Sequence, residues 1–174
     1  FTDCARDTTG EYVASVYEES AAFTSDGNTL LLLHGDGSDT STTITDSSSN
    51  AYTMVAADGA QIDTAYKKFG TGSILFDDSS KVTCANSDWD SEFGTGDFTL
   101  EFWWRPSSSL EAIQYFGDKG GQGEVSANYE GWYLRLQSST ILEFGHWTSG
   151  AGSRDVVLTT AAYTFVADTW YHIA

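Results

Sequence analysis

The sequence predicts an all-β fold, and three observations carry that reading. Aromatic residues make up 14% of the chain, so strand-favouring side chains are plentiful. Short apolar stretches are separated by clusters of Gly, Ser, Thr, Asp and Asn, with a single Pro in 174 residues. No segment keeps a helical period for more than a few residues, whereas the apolar stretches are short or alternate with a period of two. This length suits one domain with a sizeable core and leaves little room for two.

The elements follow in order. Residues 1–28 read as a polar lead-in or inter-domain linker ending on the turn signal Asp26-Gly27-Asn28. Residues 30–34, beginning with four leucines, read as a buried strand stopped by Gly35-Asp36-Gly37. Short strands are expected at 42–46, 51–57 and 61–64. The turn Phe69-Gly70-Thr71-Gly72 leads into a strand at 73–76, and another at 81–85 precedes an acidic loop over 86–92.

The most informative segment is 98–106. Side chains alternate faces along a strand, so Phe98, Leu100, Phe102 and Trp104 share one face. Thr99, Glu101, Trp103 and Arg105 share the other, and Pro106 ends the ladder. Glu101 and Arg105 then read as a structural pair on that second face. Further strands are expected at 112–116, 129–137, 140–144, 155–159 and 170–174, with the Gly-rich residues 117–123 as a hairpin tip. Strands every eight to twelve residues or so, with turn signals between them, are the pattern of a sandwich.

Charge narrows the partners. Acidic residues outnumber basic ones 25 to 8, a formal charge of −17. Such a chain repels phosphate backbones and anionic lipid, which argues against nucleic acid and bare membrane surfaces. Neutral glycans, cations and basic protein surfaces remain. No apolar run approaches the length of a membrane span, so no membrane insertion is expected. Cys4 and Cys84 are too few for a disulfide scaffold and lack the spacing of a zinc site. They read as two separate thiols.

Five blocks now line up. They are Leu30-Leu31-Leu32-Leu33-His34-Gly35-Asp36-Gly37, Thr45-Asp46-Ser47-Ser48, and Lys68-Phe69-Gly70-Thr71-Gly72-Ser73-Ile74-Leu75-Phe76-Asp77. The last two are Phe93-Gly94-Thr95-Gly96-Asp97-Phe98-Thr99-Leu100-Glu101-Phe102-Trp103 and Asp168-Thr169-Trp170-Tyr171-His172-Ile173-Ala174. In this order they resemble the laminin-G-like, concanavalin-A-like lectin/glucanase jellyroll superfamily, in the form found in phage structural and bacterial surface proteins. The resemblance implies a two-sheet antiparallel jellyroll sandwich over residues 29–174. In such domains several more strands follow the Thr-Trp-Tyr-His stretch, so the sandwich is expected to lack its C-terminal strands. The chain also begins at Phe1 rather than Met, and it reads as a fragment.

The same resemblance brings glycoside hydrolases into view. A retaining hydrolase needs two carboxyl groups about 5–5.5 Å apart. On the strand face carrying Glu101 the next two side chains are Trp103 and Arg105, and the spacing Glu-x-Asp-x-x-Glu occurs nowhere. No Gly-x-Ser-x-Gly elbow is present, and His34, His146 and His172 lie far apart in sequence. His172 reads as a satisfied packing residue. No catalytic residue is assigned.

Binding is the better prospect. Calcium takes several oxygen ligands, and three acidic loops offer candidates: Asp36 and Asp39, Asp77 and Asp78, Asp88 and Asp90. The competing role for each is turn formation. A sugar presents an apolar face and a hydroxyl rim, which suits an aromatic ring in a polar loop. Trp89, and Trp147 with His146, stand at loop-like positions, against the alternative that each Trp plugs the core. The expectation is a non-catalytic extracellular, cell-surface or virion-surface module, structural or glycan-binding, assembled with other subunits. The alternative is a partial glycoside hydrolase domain whose catalytic residues lie outside the chain.

Overall fold

A computed structural model describes residues 22–77, 79–84, 97–107, 110, 113–119, 131–147 and 156–174. Cys4, Asp78, the acidic loop 86–92 and residues 120–123 lie outside these. The described residues contain ten strands, paired antiparallel throughout, and no helix. The all-β antiparallel expectation holds. The chain divides into two compact units, residues 1–98 and 99–174.

The first unit is built from three-residue strands. β1 (Val55–Ala57) pairs with β4 (Lys81–Thr83), and β2 (Gln61–Asp63) pairs with β3 (Ser73–Leu75). Between β1 and β2 the chain reverses at Asp58 and Gly59, both at positive φ (54° and 102°), closed by Ala60 N–H donating to the Ala57 carbonyl at 3.2 Å. Two consecutive positive φ values are the signature of a primed turn, and Asp-Gly suits it. Leu32, Ile44, Ala60 and Ile62 form the buried apolar set.

The four-leucine segment departs from the expected strand. Only Leu33 makes a ladder contact, an isolated bridge to Asp46. The reason lies in a side chain: the Leu32 amide donates to Asp46 Oδ1 at 3.0 Å, while the Leu32 carbonyl accepts from the Ser47 amide at 2.8 Å. A carboxylate therefore replaces a ladder partner. Gly35, just after, sits at φ 73°, and a Cβ there would lie 2.9 Å from Ser73 Cα. Only glycine fits that approach.

The second unit carries longer strands. β5 (Phe102–Trp104) pairs with β10 (Tyr171–Ile173). β6 (Gln114–Lys119), β7 (Gly131–Ser138), β8 (Ile141–Trp147) and β9 (Val156–Thr159) form a four-stranded meander in that order. A bulge between Tyr115 and Gly117 places Phe116 against β5, with ring centroids 5.1 Å from Phe102 and 5.0 Å from Trp104. Phe165 and Tyr171 complete the cluster around Trp104, at 5.1 and 6.3 Å. Mostly tilted and edge-on, such contacts add to area burial by about 0.5–1.5 kcal/mol per pair. The two sheets of this unit thus meet over the aromatic face expected for Phe102 and Trp104.

Several boundaries move. The strand expected over 98–106 is short, and Phe98 is half exposed. Residues 117–119 belong to β6 instead of a hairpin tip. His146 and Trp147 end β8 instead of lying in a loop.

Candidate functional site

The most concentrated chemistry in the second unit grows from the register of β6, β7 and β8. Directly opposed residues project to the same side, so Tyr115, Arg135 and Glu143 share a face. Tyr133, two residues before Arg135, joins them. Glu143 Oε1 accepts from Tyr133 Oη at 2.6 Å, from Arg135 Nε at 3.0 Å and from Arg135 Nη2 at 2.6 Å. Arg135 Nη1 reaches the Tyr115 hydroxyl at 3.1 Å. The two charged side chains are only 12% and 7% exposed, so water screens this pair poorly. Burial works against the Arg135 charge, but its hydrogen bonds to Tyr115 and Glu143 prevail and push the guanidinium further toward the protonated form. Gly145 makes room: any Cβ there would collide with the Tyr133 ring, which lies across β8.

This cluster was missed by sequence reasoning, yet it left a signal. Tyr133 and Arg135 alternate onto one face of the expected strand 129–137. The facing of Arg135 with Glu143 is set one step later: the tight turn puts Ser138 opposite Ile141, and a bulge between Leu136 and Ser138 shifts the register by one residue.

A second constellation lies on β5 and β10, on the face opposite the aromatic cluster. Trp103 and His172 are directly opposed and their rings stack, centroids 5.1 Å apart at 21°. His172 Nε2 lies 3.4 Å from Glu101 Oε2, and Arg105 Nη2 lies 2.7 Å from Asp168 Oδ1. Glu101 and Arg105 therefore do not pair with each other as expected. Residues i and i+4 of a strand are more than ten ångströms apart along it, and each finds a nearer partner from 168–172. The aromatic ring, imidazole and carboxylate here form a partly exposed surface on which hydrogen-bonding and apolar groups stand side by side.

Of the acidic residues singled out for a metal, Asp36 and Asp39 turn carboxylate oxygens to the protein. Asp36 Oδ1 accepts from the Thr71 amide at 2.5 Å and its hydroxyl at 2.9 Å, and these bonds hold the Asp36 carboxyl below its ordinary range. Asp39 Oδ1 accepts from the Thr64 amide at 3.1 Å. Asp77 opens a turn closed by the Ser80 amide on its carbonyl, with its own amide donating to Ser80 Oγ. Among the described residues no group of three or more His, Cys, Asp or Glu is arranged to hold a metal. Calcium seeks six to eight oxygens; Asp36 and Asp39 each give one carboxylate oxygen to Thr71 and Thr64, and Asp77 joins its turn through backbone atoms. Asp78, Asp88 and Asp90 lie outside the described residues, as does the sugar-binding candidate Trp89. His146 is half-buried on β8, opposite Trp132 and Val156, and Trp147 is opposite Gly131.

Among the described residues, antiparallel pairing throughout and a cluster of packed rings in the second unit define an all-β module. Residues 70–174, more than half of the chain, match the Laminin_G_3 model of the concanavalin A-like lectin/glucanases superfamily, and the chain belongs to that family. No curated protein and no solved structure matches it.

Proposed function

We propose that the chain is a non-catalytic module of an extracellular or virion surface, carried in a larger assembly, that decorates or binds, with neutral glycans as its ligand class. Family membership supports a binding or structural module. The observation that carries the non-catalytic part is the commitment of the best-placed carboxylates: Glu143 is sealed against Arg135 and Tyr133, and Glu101 faces His172. A glycosidase needs a carboxyl pair open to the scissile bond. The formal charge of −17 favours an uncharged ligand over an anionic one.

The test is direct. The chain is incubated with a polysaccharide panel, beside Glu101→Gln and Glu143→Gln, and screened on a glycan array. Binding of neutral glycans without turnover is expected. Hydrolysis that either substitution abolishes would overturn the non-catalytic reading.

A further inference from the structure

The outer edge of the four-stranded sheet is built unlike a protected edge. β9 pairs with β8 alone among the described residues, and its four residues are all exposed. The chain continues along the same edge beyond the strand: the Thr160 amide donates to the Leu142 carbonyl at 3.0 Å, and the Tyr163 amide to the Thr140 carbonyl at 2.8 Å. Every residue from 156 to 163 is exposed, including Val156, Val157, Leu158 and Tyr163, which are 41–62% exposed. Edge strands normally carry a Lys, a Pro or a bulge that discourages pairing. Here residues 156–166 contain no charge and no proline, and the register of β8 on β9 is unbroken.

The hydrogen-bonding direction follows from the ladder. Thr160 bonds inward to Leu142, so by antiparallel alternation the amides of Val157 and Thr159 point away from β8. They are aimed where a further strand would lie.

We infer that this edge pairs with the same edge of a second copy of the chain, antiparallel about a two-fold axis, and that ionic strength gates the pairing. The occupant is chosen on charge. Two chains of −17 repel each other over most of their surface, and the uncharged seam at 156–166 is where their approach costs least. An antiparallel two-fold also sets this apolar row against itself, which makes the patch self-complementary. The inference deepens the assembly reading above, but it makes no use of glycans.

The test is sedimentation equilibrium of the 174-residue chain at about 0.01 M and about 1 M NaCl, where the screening length falls from about 30 to about 3 Å. Self-association is expected to strengthen by about tenfold or more across that range. Leu158→Lys should reverse most of the gain although it makes the net charge less negative. Ile113→Lys, at another exposed apolar position, should not. Thr159→Pro is the second variant: it removes one outward N–H, should fold, and should also prevent pairing. A chain that stays monomeric at high salt overturns the inference. So does association that Leu158→Lys and Thr159→Pro leave intact, even if glycan binding succeeds.

Discussion

The two units use their acidic residues in different ways. In the first, carboxylates brace turns: Asp26, Asp36, Asp39, Asp46 and Asp63 each accept from a backbone amide in residues 28–71. In the second, carboxylates face cationic groups or His across strands, as Glu143 does with Arg135, Asp168 with Arg105 and Glu101 with His172. The strands explain the difference. Three-residue strands leave much backbone outside any ladder, and those amides need acceptors. β7 and β8, eight and seven residues long and paired on both sides, satisfy most of their own backbones. Their side chains are then free to build a cross-strand pair such as Arg135–Glu143. The acidity that looks uniform in composition is therefore two different structural devices.

Breaking the Arg135–Glu143 pair should give the largest effect. Arg135→Met leaves Glu143 buried without its cation, a loss of about 3–5 kcal/mol. The double variant Arg135→Met/Glu143→Leu should recover much of this, because an apolar pair of similar volume removes the stranded charge. Urea unfolding read on the tryptophans of the second unit checks both. If the single variant costs no more than an exposed ion pair, the contrast between the units collapses.

Next comes Asp46, the buried carboxylate of the first unit. It accepts from the amides of Leu32, Ser48 and Tyr52 at 2.9–3.0 Å and from Ser48 Oγ at 2.8 Å. Burial alone would raise its carboxyl, but these bonds prevail and hold it below its ordinary value. Asp46→Ala should cost about 1.5–3 kcal/mol. The sign with pH is fixed by the depressed folded value. The stabilisation is complete above the unfolded carboxyl value of about 3.9 and is lost as pH falls through the folded one. The protection factors of the Leu32 and Tyr52 amides, that is, their exchange relative to the intrinsic rate at each pH, should therefore fall as pH drops below about 4. In Asp46→Asn, these protection factors should be lower at neutral pH and change much less on acidification.

These two sites also mark how far the sequence could be read. Strands β2 and β3, the face shared by Phe102 and Trp104, and strands β7 and β9 follow from local alternation and turn residues, which act over a few positions. The four leucines misled because a local pattern cannot reveal that Asp46, fourteen residues away, takes the Leu32 amide. Glu143 was only half within reach: the turn between β7 and β8 sets Ser138 opposite Ile141, but the bulge between Leu136 and Ser138 that brings Glu143 opposite Arg135 has no local signature. The partner of Glu101 was not: His172 lies seventy-one residues along the chain, and only tertiary pairing of β5 with β10 brings it near.

The smallest effect should come from the exposed ion pairs, one in each unit. Lys81 Nζ lies 3.0 Å from Asp58 Oδ2, with both side chains more than half exposed. Arg105 is well covered, but its partner Asp168 is 65% exposed. Solvent screening leaves such pairs worth about 0–1 kcal/mol. In a chain of −17 the removal of an acidic group also relieves repulsion, which opposes the lost attraction. Asp168→Asn should therefore change stability by no more than about 0.5 kcal/mol, in either direction. Asp58→Asn is subject to the same balance, although Asp58 at φ 54° occupies a turn position that Asn also tolerates. Urea melts of both variants at low and high salt decide the matter. Screening weakens attraction and repulsion together, so the small differences should shrink further in salt. A loss above about 2 kcal/mol for Asp168→Asn that persists in salt would place that pair with Arg135–Glu143. The second unit would then rest on two buried-type ion pairs instead of one.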